Sequence, residues 1–220
     1  HILEKDRSYT SVYVIPRGLS AQKQQDIFQR LEKISNFKTG KVEGKQISRS
    51  QLFFDKYSNP FCSHWKKKFC RWEPLKYPKW LIEFQKNIEM KVEKILGKQF
   101  EFESVLINKY ENGEHFIPFH RDNVRHSEDI VVSVSIGTTR EFAFKRILYD
   151  PIHPKNMKTD VKKNHLNFSF PLHSGCMVIM QNQRYYAHSI LKDSSLCKSE
   201  QARYNFTFRN ASYVKTGVAF

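Results

Sequence analysis

The hydrophobic positions of this chain follow two periods, and the change falls near residue 100. Before it, Ile27, Phe28, Leu31 and Ile34 recur at helical spacing behind Ser20, whose hydroxyl suits an N-cap. Leu81, Phe84, Ile88, Val92 and Ile95 form a longer stripe, with Pro78 near its start and Gly97 placed to stop it. Both stripes predict amphipathic helices that turn these side chains to a core. Beyond residue 100 the runs shorten. "FEFESVLINKY", "DIVVSVSIG", "REFAFKR", "LNFSFPL", "CMVIMQN", "RYYAHSIL" and "ARYNFTFRN" are β-rich segments parted by turn residues. Short strands in such succession argue for a sandwich or barrel, with the two helices against one outer face.

The sharpest alternation is in "ARYNFTFRN". It sets Arg203, Asn205, Thr207 and Arg209 on one face, and Tyr204, Phe206 and Phe208 on the other. The aromatic face suits a core. The opposite face carries two guanidinium groups, and burying an ion without a partner is costly. That face is therefore either open to solvent or in contact with a ligand that carries carboxylates. A planar guanidinium donates two parallel hydrogen bonds to a carboxylate, so a small dicarboxylate would satisfy both ends.

A second constellation lies in "HFIPFHRDN", residues 115–123. His120 and Asp122 are two apart, and in a strand such residues face the same way. An imidazole beside a carboxylate suits divalent iron, manganese or zinc. Such pairs also arise by chance, so the weight falls on a third ligand. His188 in "YYAHSI" supplies one. Two histidines and one carboxylate make the facial triad of non-haem Fe(II) oxygenases, which leaves coordination positions open for co-substrate and oxygen.

Five segments, "NKYENGEHFIPFHRD", "VSVSIGTTREFAFKR", "PLHSGCMVIM", "YYAHSI" and "ARYNFTFR", resemble AlkB-type Fe(II)/2-oxoglutarate dioxygenases in order and spacing. The resemblance covers roughly residues 100–210 and is most specific at Arg203–Arg209. It implies a mainly β fold with flanking helices (α+β): a double-stranded β-helix, or cupin-like jelly roll, with helices packed on one face. It implies that His120, Asp122 and His188 hold Fe(II) and carry the chemistry with O2. It further implies that Arg203 pairs with the distal carboxylate of 2-oxoglutarate, helped by Tyr110 and Asn205, with Arg209 and Asn108 near the keto end. A single domain over 1–220 is expected, with helical support and a nucleotide-recognition lid in 1–99 and the catalytic β-helix in 100–210.

Charge narrows the partner. Lys and Arg number 37 against 22 Asp and Glu, a formal net charge of +15, which favours a polyanion and nucleic acid first. "FCSHWKKKFCRWEPLKYPKW", residues 61–80, interleaves basic and aromatic side chains. Lys66, Lys67 and Lys68 would hold phosphates while Trp65 offers a stacking surface. The alternative for this stretch is a solvated charge run whose aromatics anchor to the core. Cys62, His64 and Cys70 lack a fourth ligand and read as accidental neighbours.

No apolar run is long enough to span a membrane. The four cysteines form no CxxC and fit a reducing interior, so a nuclear or cytoplasmic monomer is expected. The chain opens on His1 rather than Met, as an excised or processed segment would.

The function expected from all of this is oxidative demethylation of N-methylated bases in DNA or RNA, single strands favoured, releasing formaldehyde, succinate and CO2. One departure from the resemblance bears on the substrate: Asn123, Val124 and Arg125 follow Asp122 where many base-repairing relatives carry acidic residues. The alternatives are a protein or small-molecule oxygenase on the same scaffold, and a nucleic-acid-binding module with an inactive barrel.

Overall fold

The structure is a computed structural model and describes residues 10–42, 45–58, 74–122, 130–148, 158, 167–193, 195 and 201–209. Strand β1 (Ser11–Ile15) leads into helix α1 (Ala21–Glu32). A small ribbon, β2 (Lys41–Val42) and β3 (Lys45–Gln46), precedes β4 (Ser50–Asp55) and helix α2 (Lys79–Leu96). The remaining strands are β5 (Ser104–Tyr110), β6 (Ile117–His120), β7 (Ile130–Gly137), β8 (Arg140–Arg146), β9 (Phe168–Leu172), β10 (Met177–Gln181), β11 (Tyr186–Ile190) and β12 (Arg203–Arg209).

Both helices form where their stripes predict. The Ser20 side chain accepts a hydrogen bond from the Lys23 backbone N–H at 3.3 Å, closing the first turn of α1. Gly97 ends α2 in the left-handed region, φ 68°, and its N–H reaches the Glu93 carbonyl. One residue departs from the expected stripe. Ile95, in the last turn of α2, is 39% exposed.

Ten strands make two antiparallel sheets. The larger runs β1-β10-β7-β12-β5-β4 and the smaller β6-β11-β8-β9, a jelly-roll arrangement of mainly β character. The helices lie on the outer face of the larger sheet, where Ile27, Leu31, Leu81, Phe84, Ile88 and Val92 pack with Tyr204, Phe206 and Phe208. Phe84 meets Phe206 edge-on at 5.1 Å between ring centroids. A second cluster between the sheets joins Val131, Val178 and Met180 of the larger to Phe142, Phe144, Tyr186 and Ile190 of the smaller.

Residues 1–99 do more than supply helices: β1 and β4 complete the two edges of the larger sheet. The register of β4 on β5 sets Gln51 opposite Asn108 and Phe53 opposite Leu106, so its odd positions face the space between the sheets. Trp65, Lys66, Lys67, Lys68, Cys62, His64 and Cys70 lie outside the described residues, as do Asn123, Val124 and Arg125. Among the described residues, no helix is long and apolar enough to cross a membrane.

Candidate metal centre

His120 closes β6, and β11 pairs with β6 so that His188 stands directly opposite. Cross-strand partners project to the same side, and here the two imidazole centroids are 4.4 Å apart. Asp122 follows the end of β6, with its Oδ2 3.5 Å from His188 Nε2. Ligand atoms of the three residues lie within 4.8 Å of one another, the one such grouping of His, Cys, Asp or Glu among the described residues.

The protonation states suit a divalent cation. Burial lowers the pKa of His120, and burial brings His188 down to about 3, so both rings are neutral at pH 7. Burial alone would raise the Asp122 carboxyl, but Arg209, His188 and His120 outweigh it and hold the group below its usual range. The His120 Nδ1 lies 2.9 Å from the Pro118 carbonyl oxygen, which can only accept. The proton therefore sits on Nδ1, and the Nε2 lone pair is left for a metal. Phe142 and Phe144 pack around the His188 ring at centroid distances of 5.3 and 5.9 Å and fix its plane.

The polar face of β12 turns inward, next to this grouping. Arg203 is 1% exposed, and Asn205 and Thr207 are also buried. Of the two possibilities left by the sequence, an open face and a ligand face, the open face is excluded. Arg209 donates from Nη2 to Asp122 Oδ1, so it orients the metal carboxylate. Asn205 donates to Ser133 Oγ at 2.7 Å and accepts from Thr207 Oγ1 at 3.1 Å. Its amide is thus held by the protein at both ends and stiffens the face.

Arg203 differs from both. Its Nη2 donates to Ser135 Oγ at 2.9 Å, and its guanidinium carbon sits 5.0 Å from the centre of the Tyr110 ring. Among the described residues its Nε and Nη1 have no hydrogen-bond partner despite full burial. Desolvation draws its pKa down to about 10, which still leaves a cation at neutral pH. A buried cation with two unpartnered guanidinium nitrogens and no carboxylate against it among the described residues suits an anion.

Three residues of this neighbourhood carry no motif of their own. Arg49 Nε and Gln51 Nε2 both donate to the Asn108 carbonyl oxygen, at 2.9 and 2.7 Å. That oxygen is fully engaged, so Asn108 has only its amide hydrogens to offer a ligand. Arg140, buried at the start of β8, donates to the carbonyls of Asn112, Gly113, His115 and Leu191, and so ties the loop before β6 to the end of β11. The even-odd alternation of "SRSQLFFD" is the signal for Arg49 and Gln51, since it pairs them on a face with Phe53.

The model of the 2OG-Fe(II) oxygenase superfamily matches residues 11–209. The chain belongs to that superfamily. The cofactors of this oxygenase are therefore Fe(II), 2-oxoglutarate and O2, and His120, Asp122 and His188 could form the iron site. The donor set fits: two neutral imidazoles and one carboxylate are the ligands non-haem Fe(II) takes in this chemistry.

Solved structures share the fold of this oxygenase. OsALKBH1 is 18% identical, with a TM-score of 0.62 over 90% of this chain and 97% of that one. SnoN, a non-haem α-ketoglutarate-dependent epimerase from nogalamycin biosynthesis, is 13% identical, with a TM-score of 0.60 over 95% and 83%. A 2OG-Fe(II) oxygenase-family oxidoreductase from Burkholderia pseudomallei is 11% identical, with a TM-score of 0.58 over 91% and 85%. Comparison with curated protein sequences returned no match.

Proposed function

We propose that this oxygenase is an AlkB-like demethylase that removes N-alkyl groups from the bases of DNA or RNA, acting on single strands as one domain. The observation that carries the choice of substrate is charge. A net charge of +15 far exceeds what one dicarboxylate co-substrate needs, and it suits a polyanion. The AlkB-like order of motifs along β5, β6, β11 and β12 and the likeness in fold to OsALKBH1 support the same reading.

Iron, when bound, supplies the oxidising chemistry in which O2 is consumed and 2-oxoglutarate becomes succinate and CO2. The chain's own residues bind, orient and exclude water. In this reading Arg203 takes the distal carboxylate of 2-oxoglutarate, and the Tyr110 ring beneath its guanidinium keeps that group in place. Asn205 and Thr207 hold the strand face rigid between the two ends of the co-substrate. Arg209 positions the carboxylate of Asp122, and Asn108 presents its amide hydrogens towards the keto end. The target base must leave any stack to reach the iron, and an unpaired base avoids that cost. Trp65 and Lys66, Lys67 and Lys68 are proposed to grip the strand, the lysines through phosphates and the indole through stacking.

A panel tests this reading. Methylated single-stranded oligonucleotides, methylated duplexes and methylated peptides are incubated with the loaded enzyme, and the loss of each methyl group is followed by mass spectrometry. Demethylation of single strands ahead of duplexes and peptides is expected. Demethylation of the peptides alone would replace it with the protein-oxygenase alternative.

A further inference from the structure

One face of α2 is used neither by the fold nor by the metal centre. Leu81, Phe84, Ile88 and Val92 bury the opposite side of the helix against the larger sheet. The outward side carries Lys79, Lys86, Lys91 and Lys94, all exposed. At about 100° per residue, Lys79, Lys86 and Lys94 fall within an arc of about 80°. Met90, 59% exposed, lies among them. Among the described residues these lysines of α2 form no ion pair.

A helix face that serves only solubility places its acids to pair with its cations, and Glu four residues before Lys is the favoured order. The sequence of α2 does not do so. Glu83, Glu89 and Glu93 are followed four residues on by Asn87, Glu93 and Gly97. Lys91 and Lys94 stand three apart, so like charges are neighbours on the helix surface. Glu89 is engaged elsewhere, accepting from Gln85 Nε2 and from the Phe102 N–H, both at 2.8 Å. Among the acids of α2 only Glu83 is exposed beside the four lysines.

The helix also starts at the rim of the site. The Leu75 N–H donates to the Phe53 carbonyl at 2.8 Å, so the segment before α2 runs along the outer edge of β4. The inner face of β4 borders the metal centre through Gln51, which donates to Asn108. A polyanion that leaves the space between the sheets past that edge meets exposed Lys76, then Lys79 at the first turn of α2. The 18 residues of α2 extend about 27 Å, enough for several successive phosphates. We propose that the outward face of α2 is a second binding surface, for the phosphate backbone of the nucleic acid whose base is at the metal centre. The proposal rests on the nucleic-acid reading above and adds a dependence on length. Phosphate contacts position a chain without reading its sequence, so this surface holds any sequence.

The test compares fluorescent oligouridylates of about 5 and about 20 nucleotides, by anisotropy across a salt series, on protein loaded with Mn(II) and 2-oxoglutarate. Lys86→Gln, Lys91→Gln and Lys94→Gln are combined in one variant. It should bind the longer oligonucleotide about tenfold or more weakly at about 0.15 M salt, with a log–log salt slope shallower by about 2, at about 0.7 per phosphate contact. The shorter one should weaken by less than about threefold, since it does not reach all three positions. Arginine at the same three positions should retain the parent's preference for length. Melting curves show that each variant is folded. If the Gln variant is not, the parent decides: a salt slope no steeper for the longer oligonucleotide than for the shorter overturns the proposal. Vesicles of phosphatidylserine form a parallel arm. A Gln variant that loses vesicle binding but keeps its affinity for the longer oligonucleotide makes α2 a membrane-facing surface and overturns the proposal. Unchanged binding in the folded variant, or equal weakening at both lengths, overturns the role of α2 and leaves the demethylase reading standing. If the parent binds neither oligonucleotide, that reading and the proposal built on it fall together.

Discussion

Replacing Arg203 with Met separates what this residue does for the ligand from what it does for the fold. The substitution removes a fully buried cation and leaves an unbranched apolar chain of similar length against the Tyr110 ring. In the ligand-free protein the guanidinium is held at a cost. Desolvation carries its pKa down to about 10, a fall from the ordinary arginine value that corresponds to about 3 kcal/mol against the charged form. Removing it also deletes one hydrogen bond to Ser135, worth about 1 kcal/mol. The net expectation for the ligand-free variant is unchanged or modestly higher stability, by up to about 2 kcal/mol. The co-substrate pays the difference: loss of the charge-assisted pair should weaken 2-oxoglutarate binding by roughly 1.5–3 kcal/mol, or about 10- to 150-fold. Thermal melts with and without 2-oxoglutarate read both effects, because a ligand that binds only the native state raises its stability by mass action. Equal 2-oxoglutarate affinity in variant and parent would refute the assignment. A ligand-free variant less stable by more than about 2 kcal/mol would show instead that the guanidinium is a structural group.

Other changes probe the surrounding groups. Asp122→Asn should abolish turnover and weaken Mn(II) binding in calorimetry by about 100-fold or more, since it removes the anionic ligand and unpairs Arg209. Tight Mn(II) binding by that variant would sink the metal assignment. The metal-free protein should lose stability as pH falls. His188 titrates near 3 when folded and near 6.5 when unfolded, so the unfolded chain binds more protons between those values. The loss begins near pH 6.5 with a slope approaching about 1.4 kcal/mol per pH unit, and Asp122 adds to it only below the usual carboxylate range. Denaturant melts across pH 4–7 on parent and His188→Gln check this, and the variant should show the shallower slope. Gly137→Ala should destabilise by about 1–3 kcal/mol, because φ there is +93° and a Cβ would lie 2.2 Å from the Ala202 carbonyl oxygen. A melting temperature equal to the parent's would contradict that packing.

Much of this organisation was legible along the chain, for identifiable reasons. The α1 and α2 stripes have one apolar face each, and β12 alternates aromatic and polar residues so strictly that its aromatic face could be assigned to the core. Its inward polar face could not be told from a surface face by pattern alone, because a buried guanidinium and a solvated one have the same sequence. The pairing of His120 with His188 depends on β6 lying beside β11, a long-range contact that local periodicity does not encode. Strands β1 and β4 escaped for a similar reason. Each is a short edge strand whose partner, β10 or β5, lies far along the chain. Arg49, Gln51 and Arg140 escaped with them, since each gains its role only from the carbonyl groups that other segments bring to it. Asn205, expected to assist at the co-substrate, also holds Ser133 and Thr207, contacts that its place in the strand pattern does not announce.

The most direct measurement is the stoichiometry of products on a methylated single strand. With Fe(II), 2-oxoglutarate and O2 present, one formaldehyde should appear for each succinate formed above the substrate-free rate, and the strand should lose one methyl group in step. Omitting Fe(II) or 2-oxoglutarate should abolish all three signals together. Succinate that accumulates at the same rate with and without every methylated strand, with no formaldehyde, would contradict the assignment of nucleic acid as the substrate.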